Sequence, residues 1–567
     1  MPKPSVLPSM LNVETFPAQP GGPFPEQTNP RYAASSGLWG ACFSGGGPRA
    51  FAAALGQMRG LNAAGVLPFF GAISCVSGGS WFGVPFSFAP DSFSVTELLG
   101  DVTAPGDITV GGLQHIPETC LGSALLNLTD DTLGLLVAYY VLQYSLGNLS
   151  FDKIWSRCLN DLILFPFALS DTSSYFSLNS ATVSQIVTNN PGLAKTNFFT
   201  LRDNQPYVFA GATQVFPSSL AMTQGDFVRS RPAARSNAAS GELSLPGQFY
   251  RHFEYSPAYV GTSQWFPGAG CGKADFGGGF VQSFGFDSGT PTSAPQQNLA
   301  QVPTPAYQFL LSDAIGSSSA AIAAYLDEFD LDPVFPEFSY WPPVNIGQEQ
   351  ACTYSFGDGG ILENIGIVPL LRRQYKVIFA FVNSPYPVGS TDPGCYMGVD
   401  GQITRLFGYI PQNDFGNSQV TQIFPGTQFQ TVVAGLTQSK QAGGVVFAAG
   451  LFTIQTPNNF GLEAYPGNGE VLIFWMYNHR NQSWVNQLAP GVQALLGSKA
   501  PSNYMANFPN YNTVFQNEDE LLLLSAQQVN LLADMWSYSI VSGFGQAGQA
   551  FGVSVESPNG TAYSCPH

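Results

Sequence analysis

Runs of apolar residues alternate with glycine-rich turns in the first part of the chain, and they predict an α/β fold. Residues 38–43 form a short apolar run typical of a buried strand, and residues 50–64 have helical spacing that ends at Gly65. A second apolar strand is predicted over residues 69–76, and a second helix from Ser77 to about residue 88. The order strand, loop, helix, strand, turn, helix is typical of the beginning of a parallel sheet.

The rest of the chain continues this pattern with longer loops. Residues 121–170 have helical periodicity, and residues 284–306 form a polar stretch typical of a loop. The remaining predicted elements are strands at 207–216, 376–383, 444–454 and 471–477, and helices at 312–328, 521–540 and, after a glycine turn, within 357–371. We interpret residues 1–36 as a Pro-rich N-terminal arm and residues 37–567 as one domain, with a helical, loop-rich cap insertion at about 90–340.

The charge balance limits the classes of partner. The net charge is −17 with only 20 Lys and Arg, which argues against nucleic acid, because phosphate binding depends on clustered basic side chains. Electrostatic adsorption on anionic lipid is disfavoured for the same reason. Hydrophobic residues make up 44% of the chain and charged residues 10%, so a large core is expected and any membrane contact would use apolar surface. No apolar run reaches the roughly 20 residues of a transmembrane span.

The eight cysteines are scattered along the chain. They form no CxxC and no metal-ligand spacing, so we expect neither a metal nor a cofactor. Their even number permits disulfides, although buried free thiols fit equally well. No apolar stretch after Met1 resembles a signal peptide, which favours the cytoplasm if Met1 is the true start.

The first candidate for chemistry is the segment FSGGGPRA at residues 43–50, between a predicted strand and a predicted helix. Successive glycines allow backbone N–H groups to converge on one point, and the helix adds its positive N-terminal end. Such a loop stabilises a phosphate or a developing oxyanion. The alternative is a simple glycine turn, since residues 277–279 are another run of three glycines.

The second candidate is ISCVSGGSW at residues 73–81, where an apolar strand runs straight into Ser77 and two glycines follow. A nucleophile on a sharp strand-to-helix turn needs small residues beside it. The alternative is that Ser77 only caps the next helix, because serine is a favoured N-cap residue. Ser74 and Ser80 are rival hydroxyls.

The third candidate is FGDGGILENIG at residues 356–366, which holds Asp358 between glycines on a turn. An aspartate there could reach a neighbouring turn at the edge of the sheet, or it could simply cap a helix. The chain has only four histidines, at positions 115, 252, 479 and 567, and none lies in a recognisable catalytic sequence. A Ser–His–Asp triad therefore has few candidates, whereas a Ser–Asp dyad needs no histidine.

Taken together and in this order, SGGGPRA, SGGSW and DGGILEN resemble the signatures of group IV cytosolic phospholipases A and fungal lysophospholipases (phospholipase B), within the patatin-like dyad superfamily. FEYSPAYVG at 253–261 and SDAIGSSSA at 312–320 are similar to two further stretches of that family. The resemblance covers about residues 37–390. It implies an α/β fold, a three-layer sandwich with a central, mostly parallel sheet and a helical, loop-rich cap insertion.

The resemblance also implies roles for individual residues. Ser77 matches the nucleophile, and Asp358 matches the aspartate that activates it. The oxyanion loop corresponds to Gly45, Gly46 and Gly47.

Four neighbouring positions also bear on the resemblance, two as matches and two as departures. Gly78, which follows the nucleophile, is a further candidate oxyanion donor. Arg49 matches an arginine that helps to position either phosphate or the loop, and it is the candidate substrate-binding residue. Two positions depart from the family: Cys75 replaces a glycine of the elbow, and Pro48 replaces an aromatic residue.

The function implied is hydrolysis of fatty-acyl esters of phospholipids or lysophospholipids, presented at a membrane or micelle surface, through an acyl-enzyme intermediate. The alternatives are a neutral-lipid lipase or a transacylase with the same dyad, and a catalytically silent lipid-binding relative. The likeness to fungal lysophospholipases makes secretion the alternative to a cytoplasmic location. Oligomeric state is left open.

Overall fold

The structure is a computed structural model. It describes residues 8–18, 24–29, 31–32, 38–217, 250–268, 274–292, 298–320, 335–346, 350–411, 421–497, 505, 507–513 and 523–544.

The strands are numbered in chain order. They are β1 Met10–Pro17, β2 Trp39–Phe43, β3 Phe70–Val76, β4 Tyr175–Ser177, β5 Phe198–Thr200, β6 Tyr207–Pro217, β7 Arg251–Tyr255, β8 Tyr259–Phe266, β9 Phe276–Gln282, β10 Leu299–Pro303, β11 Glu337–Tyr340, β12 Cys352–Asp358, β13 Val377–Val382, β14 Cys395–Tyr396, β15 Val399–Asp400, β16 Phe447–Thr453 and β17 Glu470–Tyr477.

The α-helices are numbered in the same way. They are α1 Gly47–Ala63, α2 Gly78–Phe88, α3 Val95–Leu99, α4 Asp130–Ser145, α5 Ile154–Leu159, α6 Ser180–Asn189, α7 Leu311–Ser318, α8 Val368–Arg372, α9 Gly401–Thr404, α10 Phe429–Ala442, α11 Gln482–Val485, α12 Pro490–Gly497 and α13 Ala526–Phe544.

Thirteen of the described strands build one sheet whose centre is parallel, and β4 with β5 and β14 with β15 form two separate two-stranded sheets. The order β6–β3–β2–β13–β17 is joined by parallel pairs throughout. Antiparallel strands extend the sheet on both sides, through β7 to β10 with β1 beyond β6, and through β16 beyond β17. Strands β2 and β3 are buried on every residue, as expected for parallel strands covered on both faces.

Helices cover both faces of the centre of the sheet. Successive side chains of a strand point to opposite faces. On β2, the ring of Trp39 lies 6.4 Å from that of Phe544 in α13, while the adjacent Gly40 packs against Leu370 of α8. Helices α13 and α8 therefore lie on opposite faces, and the predicted three-layer α/β sandwich is confirmed, with the parallel arrangement concentrated in its centre.

Two predicted elements differ from the structure. The polar stretch at 284–306 contains strand β10, because Ala300 and Val302 alternate inward and pair antiparallel with β1. The helix predicted within 357–371 is shorter, because β12 continues to Asp358 and a tight turn precedes α8.

Segments outside the parallel centre contribute strands as well. Residues 10–17, in the Pro-rich N-terminal stretch, form β1 between β9 and β10, with Leu11, Val13 and Thr15 buried at every second position. The stretch at about 90–340 supplies helices α3 to α7 and also strands β6 to β10 of the sheet.

Among the described cysteines, five are free thiols and Cys352 is disulfide-bonded. Within the described residues, no single helix has the length and hydropathy needed to cross a membrane. One sharply bent pair passes that test by length and composition, Leu121–Asn127 with Asp131–Ser145.

Candidate active site

Ser77 directly follows strand β3, and Asp358 is the last residue of strand β12. Both strands pair with the same edge of β6, and their ends meet there. Strand β3 runs parallel to β6 and its last residue, Val76, pairs with Gly211. Strand β12 runs antiparallel to β6 and its last residue, Asp358, pairs with Ala212. Strand β7 occupies the opposite edge of β6, so β3 and β12 share one edge. Their ends pair with adjacent residues, about 3.4 Å apart along β6.

Ser77 sits on a strained turn. Its φ and ψ are 52° and −125°, a left-handed conformation that is uncommon for a residue with a side chain and that clusters at functional sites. The turn is held by Ser318 at the end of α7. The Ser77 N–H donates to Ser318 Oγ and to the Ser318 carbonyl, both at 3.1 Å, and Ser318 Oγ donates to Gly211 O at 2.6 Å. The Ser77 residue is 8% exposed.

Asp358 is placed by the turn that follows β12. One of its carboxylate oxygens, Oδ1, accepts a hydrogen bond from the Gly360 N–H at 2.6 Å, and the residue is 5% exposed. Gly359 packs so closely that a side chain there would lie 2.9 Å from Cγ1 of Val76. The turn of Asp358 therefore contacts the residue directly before Ser77.

Glu363 fixes the backbone beyond this turn. Its carboxylate accepts hydrogen bonds from the N–H groups of Ile365 and Gly366. Burial raises the pKa of Glu363 to about 7, against the opposing effect of these hydrogen bonds. We infer that Glu363 stabilises the backbone conformation between β12 and α8.

The glycine loop lies directly beside Ser77. A β-carbon on Gly45 would be 2.9 Å from Cβ of Ser77 and would overlap Oδ1 of Asn364. The Gly45 N–H donates to the Asn364 carbonyl at 3.0 Å. Gly45 is therefore removed from the oxyanion donors predicted from the sequence, because its N–H is already engaged; its lack of a side chain is what allows the close approach.

Gly46 and Gly47 have the backbone conformation expected of such a loop. Their φ values are 137° and 56°, in the region that favours glycine. Helix α1 begins at Gly47 and helix α2 at Gly78, and a β-carbon on Gly78 would overlap the backbone of Gly47. Two helix N-termini thus meet beside Ser77, each with first-turn N–H groups that have no acceptor within the helix.

We expect Gly78→Ala to lower the free energy of unfolding by about 1–3 kcal/mol, because its new methyl group would overlap the Gly47 carbonyl oxygen. Urea unfolding followed by circular dichroism measures the change.

Gly134→Ala is the matched control, since Gly134 lies in α4 and a β-carbon there meets nothing within 4 Å. We expect that control to stabilise the protein by about 0.5–1 kcal/mol through helix propensity. Equal stability of Gly78→Ala and the parent would contradict the close contact between α1 and α2.

Arg49 lies beneath the loop and is almost fully buried. Its Nε donates to the Asn383 carbonyl at 3.0 Å, and its Nη1 donates to the Tyr511 carbonyl and to Thr513 Oγ1. Burial lowers the pKa of Arg49 to about 10, so it is charged at neutral pH. These hydrogen bonds connect α1 to Asn383, directly after β13, and to the segment that contains Tyr511 and Thr513. They support a positioning role for the predicted substrate-binding Arg49.

The two departures from the family motifs fit the local structure. Cys75 is buried with its sulfur against Gly83 of α2, where any side chain would overlap it. The glycine on the helix therefore makes room for the larger residue on the strand. Pro48 occupies the first turn of α1, where its missing N–H would have no acceptor within the helix.

The described histidines differ in their surroundings. His252 lies beside Glu254 and Arg372, and burial followed by the charge of Arg372 lowers its pKa to about 3. His479 accepts a hydrogen bond from the Val388 N–H, and burial lowers its pKa to about 4. His115 is exposed. His567 lies outside the described residues.

Three residues of the site were not singled out by the sequence analysis. Ser318 is one of three consecutive serines, and no pattern distinguishes it from its neighbours. Asn364 lies within the DGGILEN segment, whose pattern alone indicates no role for it. Asn383 donates through its backbone N–H to Ser44 Oγ at 2.8 Å. It directly follows β13, which is parallel to β2, so its place at the same sheet edge as Ser44 was open to prediction.

The described residues contain no group of three or more His, Cys, Asp or Glu side chains able to hold a metal ion. The run Gly277, Gly278 and Gly279 lies in β9, away from the loop beside Ser77, where it allows close approach of β1 and β8.

Comparisons with known proteins give distant structural likenesses. No family model and no curated protein sequence matches the chain. Among solved structures, human GIVD cytosolic phospholipase A2 matches at 13% identity with a TM-score of 0.48, covering 91% of this chain and 62% of that one. The same human protein in complex with methyl gamma-linolenyl fluorophosphonate matches at 12% identity with a TM-score of 0.40, covering 91% of this chain and 59% of that one. The chain therefore spans about 60% of the length of the matched structures.

Proposed function

We propose that the protein hydrolyses fatty-acyl esters of phospholipids or lysophospholipids, with Ser77 as nucleophile and Asp358 as general base. The observation that carries the proposal is the meeting of β3 and β12 on one edge of β6. It brings a serine on a strained turn and an aspartate on a glycine turn together beside two helix N-termini. Nucleophile, base and backbone donors are the components of acyl transfer.

The proposed reaction has two steps. Ser77 Oγ attacks the acyl carbonyl carbon and its proton passes to Asp358; the ester C–O bond then breaks and the leaving alcohol takes that proton. Water attacks the acyl-serine and gives a proton to Asp358, and the Ser77 oxygen recovers it as the fatty acid departs. In both steps the N–H groups of Gly46, Gly47 and Gly78 stabilise the oxyanion.

A carboxylate is a weak base, so this chemistry needs a site with little water. The low exposure of Ser77 and Asp358 is consistent with that requirement. The lipid substrate is supported by the resemblance of the three sequence motifs to phospholipases and lysophospholipases. The low content of basic residues agrees with a substrate that is recognised mainly through its apolar part.

The substrate class is tested by incubating the protein with phosphatidylcholine, lysophosphatidylcholine and triacylglycerol and measuring released fatty acid. We expect release from one or both phospholipids and labelling of Ser77 by a fluorophosphonate probe, located by peptide mass spectrometry. Release from triacylglycerol alone would identify a neutral-lipid lipase, and acyl transfer to an added alcohol in place of water would identify a transacylase. A protein that neither releases fatty acid nor reacts with the probe would be a silent relative.

We expect Ser318→Ala to lower kcat about 10–100-fold with little change in KM, because Ser318 Oγ holds the Ser77 backbone and does not contact the substrate in this proposal. Steady-state kinetics on a water-soluble ester measure both constants.

Ser319→Ala is the matched control, since Ser319 Oγ bonds the indole groups of Trp81 and Trp155 and is also fully buried. A similar loss of kcat in both variants would contradict a specific role of Ser318 in positioning Ser77.

A further inference from the structure

Helix α4 has an apolar side chain pattern on its solvent face as well as on its buried face. Leu133 and Val137 are buried, and Leu136, Tyr140 and Val141 pack against the core. On the opposite face, four large side chains are between 52 and 73% exposed: Leu135, Tyr139, Leu142 and Leu146, the last at the C-cap.

These four residues form one stripe along the helix. At 3.6 residues per turn, spacings of four, three and four place them within about 60° of each other around the axis. A helix on the surface of a water-soluble domain normally presents polar residues there, and a large exposed apolar patch marks an interaction site. We call this stripe the α4 face.

The surroundings of the α4 face indicate which partner it binds. Between Asp131 and Asp152 no residue carries a charge, so this segment offers no side chain for an ion pair with a partner. The chain as a whole has a net charge of −17, which repels anionic lipid. The only helix pair of the described residues with the composition of a membrane-spanning segment includes Asp131–Ser145. A zwitterionic lipid surface is the partner that matches both the apolar stripe and the lack of charge.

The α4 face is also connected to the candidate active site. Tyr140 of α4 donates to Asp161 just after α5, at 2.8 Å. On α5, the indole N–H of Trp155 donates to Ser319 Oγ at 3.2 Å. Ser319 follows Ser318, which holds the backbone of Ser77. Helix α4 is thus linked through α5 and Ser319 to the residue that holds the backbone of Ser77.

We propose that the α4 face inserts into the surface of zwitterionic phospholipid aggregates and holds the protein there. This inference rests on the proposed function, since lipid ester hydrolysis supplies the reason to meet such a surface. The tyrosine hydroxyl on a mainly aliphatic stripe fits the boundary between headgroups and acyl chains.

The test measures binding to phosphatidylcholine vesicles by flotation, in a Ser77→Ala background so that no lipid is consumed. The test variant carries Leu135→Gln, Leu142→Gln and Leu146→Gln, which keep helix propensity while removing apolar surface. The control variant carries three equivalent changes on other exposed apolar residues, Met397→Gln, Ile410→Gln and Leu451→Gln. Thermal unfolding checks that both variants are folded.

We expect the test variant to bind vesicles at least about tenfold more weakly and the control variant to bind like the parent. We also expect binding to weaken when phosphatidylserine is added and to recover with salt, as the net charge requires. Equal binding of the two triple variants, tighter binding to anionic vesicles, or no binding by the parent would overturn the proposal. So would a dimer in analytical ultracentrifugation that the test variant alone dissociates, because a second copy of the chain would then cover the face.

Failure of the proposed function would be visible separately. Hydrolysis of a water-soluble ester by the parent with an intact Ser77 needs no lipid surface. A parent that binds vesicles through the α4 face but hydrolyses no ester would keep the docking proposal and lose the enzymatic one. A parent that hydrolyses the ester but binds vesicles independently of α4 would keep the enzymatic proposal and overturn the docking proposal.

Discussion

Replacement of Ser77 by alanine is expected to lower the rate of ester hydrolysis by at least about 10⁴-fold while leaving the fold intact. The variant loses the oxygen that forms the acyl-enzyme, and no other described hydroxyl sits on an equivalent strained turn. Stability should hardly change, because the hydrogen bonds of Ser77 that fix the turn come from its backbone N–H, which alanine retains. Fatty acid release and the fluorophosphonate label report the first effect, and urea unfolding reports the second.

Ser74→Ala is the matched control for this prediction. Ser74 lies three residues before Ser77, on β3. It is fully buried, and its Oγ has no hydrogen-bond partner among the described residues. Removing an unpaired buried hydroxyl costs little stability and is expected to leave hydrolysis intact. If Ser74→Ala were inactive and Ser77→Ala active, the nucleophile would be misassigned.

Replacement of Asp358 by asparagine is expected to reduce kcat by about 10³–10⁴-fold, because asparagine keeps the shape of the side chain but cannot take the proton of Ser77. Its amide oxygen can still accept the hydrogen bond from the Gly360 N–H, so the turn should persist. The loss should therefore appear in kcat with no large fall in the free energy of unfolding.

Asp392→Asn is the matched control for Asp358→Asn. Asp392 makes the same kind of turn, with its Oδ1 accepting from the Gly394 N–H at 2.8 Å, but on an exposed loop. That variant is expected to retain the parental kcat. Equal losses in the two variants would show that turn geometry, and not proton transfer, accounts for the effect of Asp358.

The parallel centre of the sheet and the antiparallel edge strand β16 could be predicted from the sequence, whereas the antiparallel strands β7 to β10 and β1 beyond β6 could not. Strands β2, β3, β13 and β17 are predicted correctly because parallel strands covered on both faces are continuous apolar runs. Strand β12 is different: its residues 352–356 alternate apolar and polar side chains over only five positions, too short a pattern to separate a strand from a loop. Its pairing with β6 and β11 joins segments that are distant in sequence, and this pairing places Asp358.

The candidate site was recognised from the order of its motifs more than from any one of them. Gly277, Gly278 and Gly279 look like the loop at Gly45 in sequence, and only the fold separates a strand irregularity from a loop beside Ser77. Engagement of the Gly45 N–H by Asn364 depends on a contact between distant segments. No local rule would have predicted it.

The meeting of β3 and β12 at one edge of β6 has a consequence for biosynthesis. During synthesis on the ribosome, the residues of β3 and β6 emerge long before those of β12. A nascent chain therefore contains Ser77 before it contains Asp358. Under the proposed function, an unfinished or prematurely terminated polypeptide would be harmless to the membranes around it. Lipolytic capacity would appear only after the far segment has docked, which makes the topology itself a safeguard for the cell that synthesises the protein.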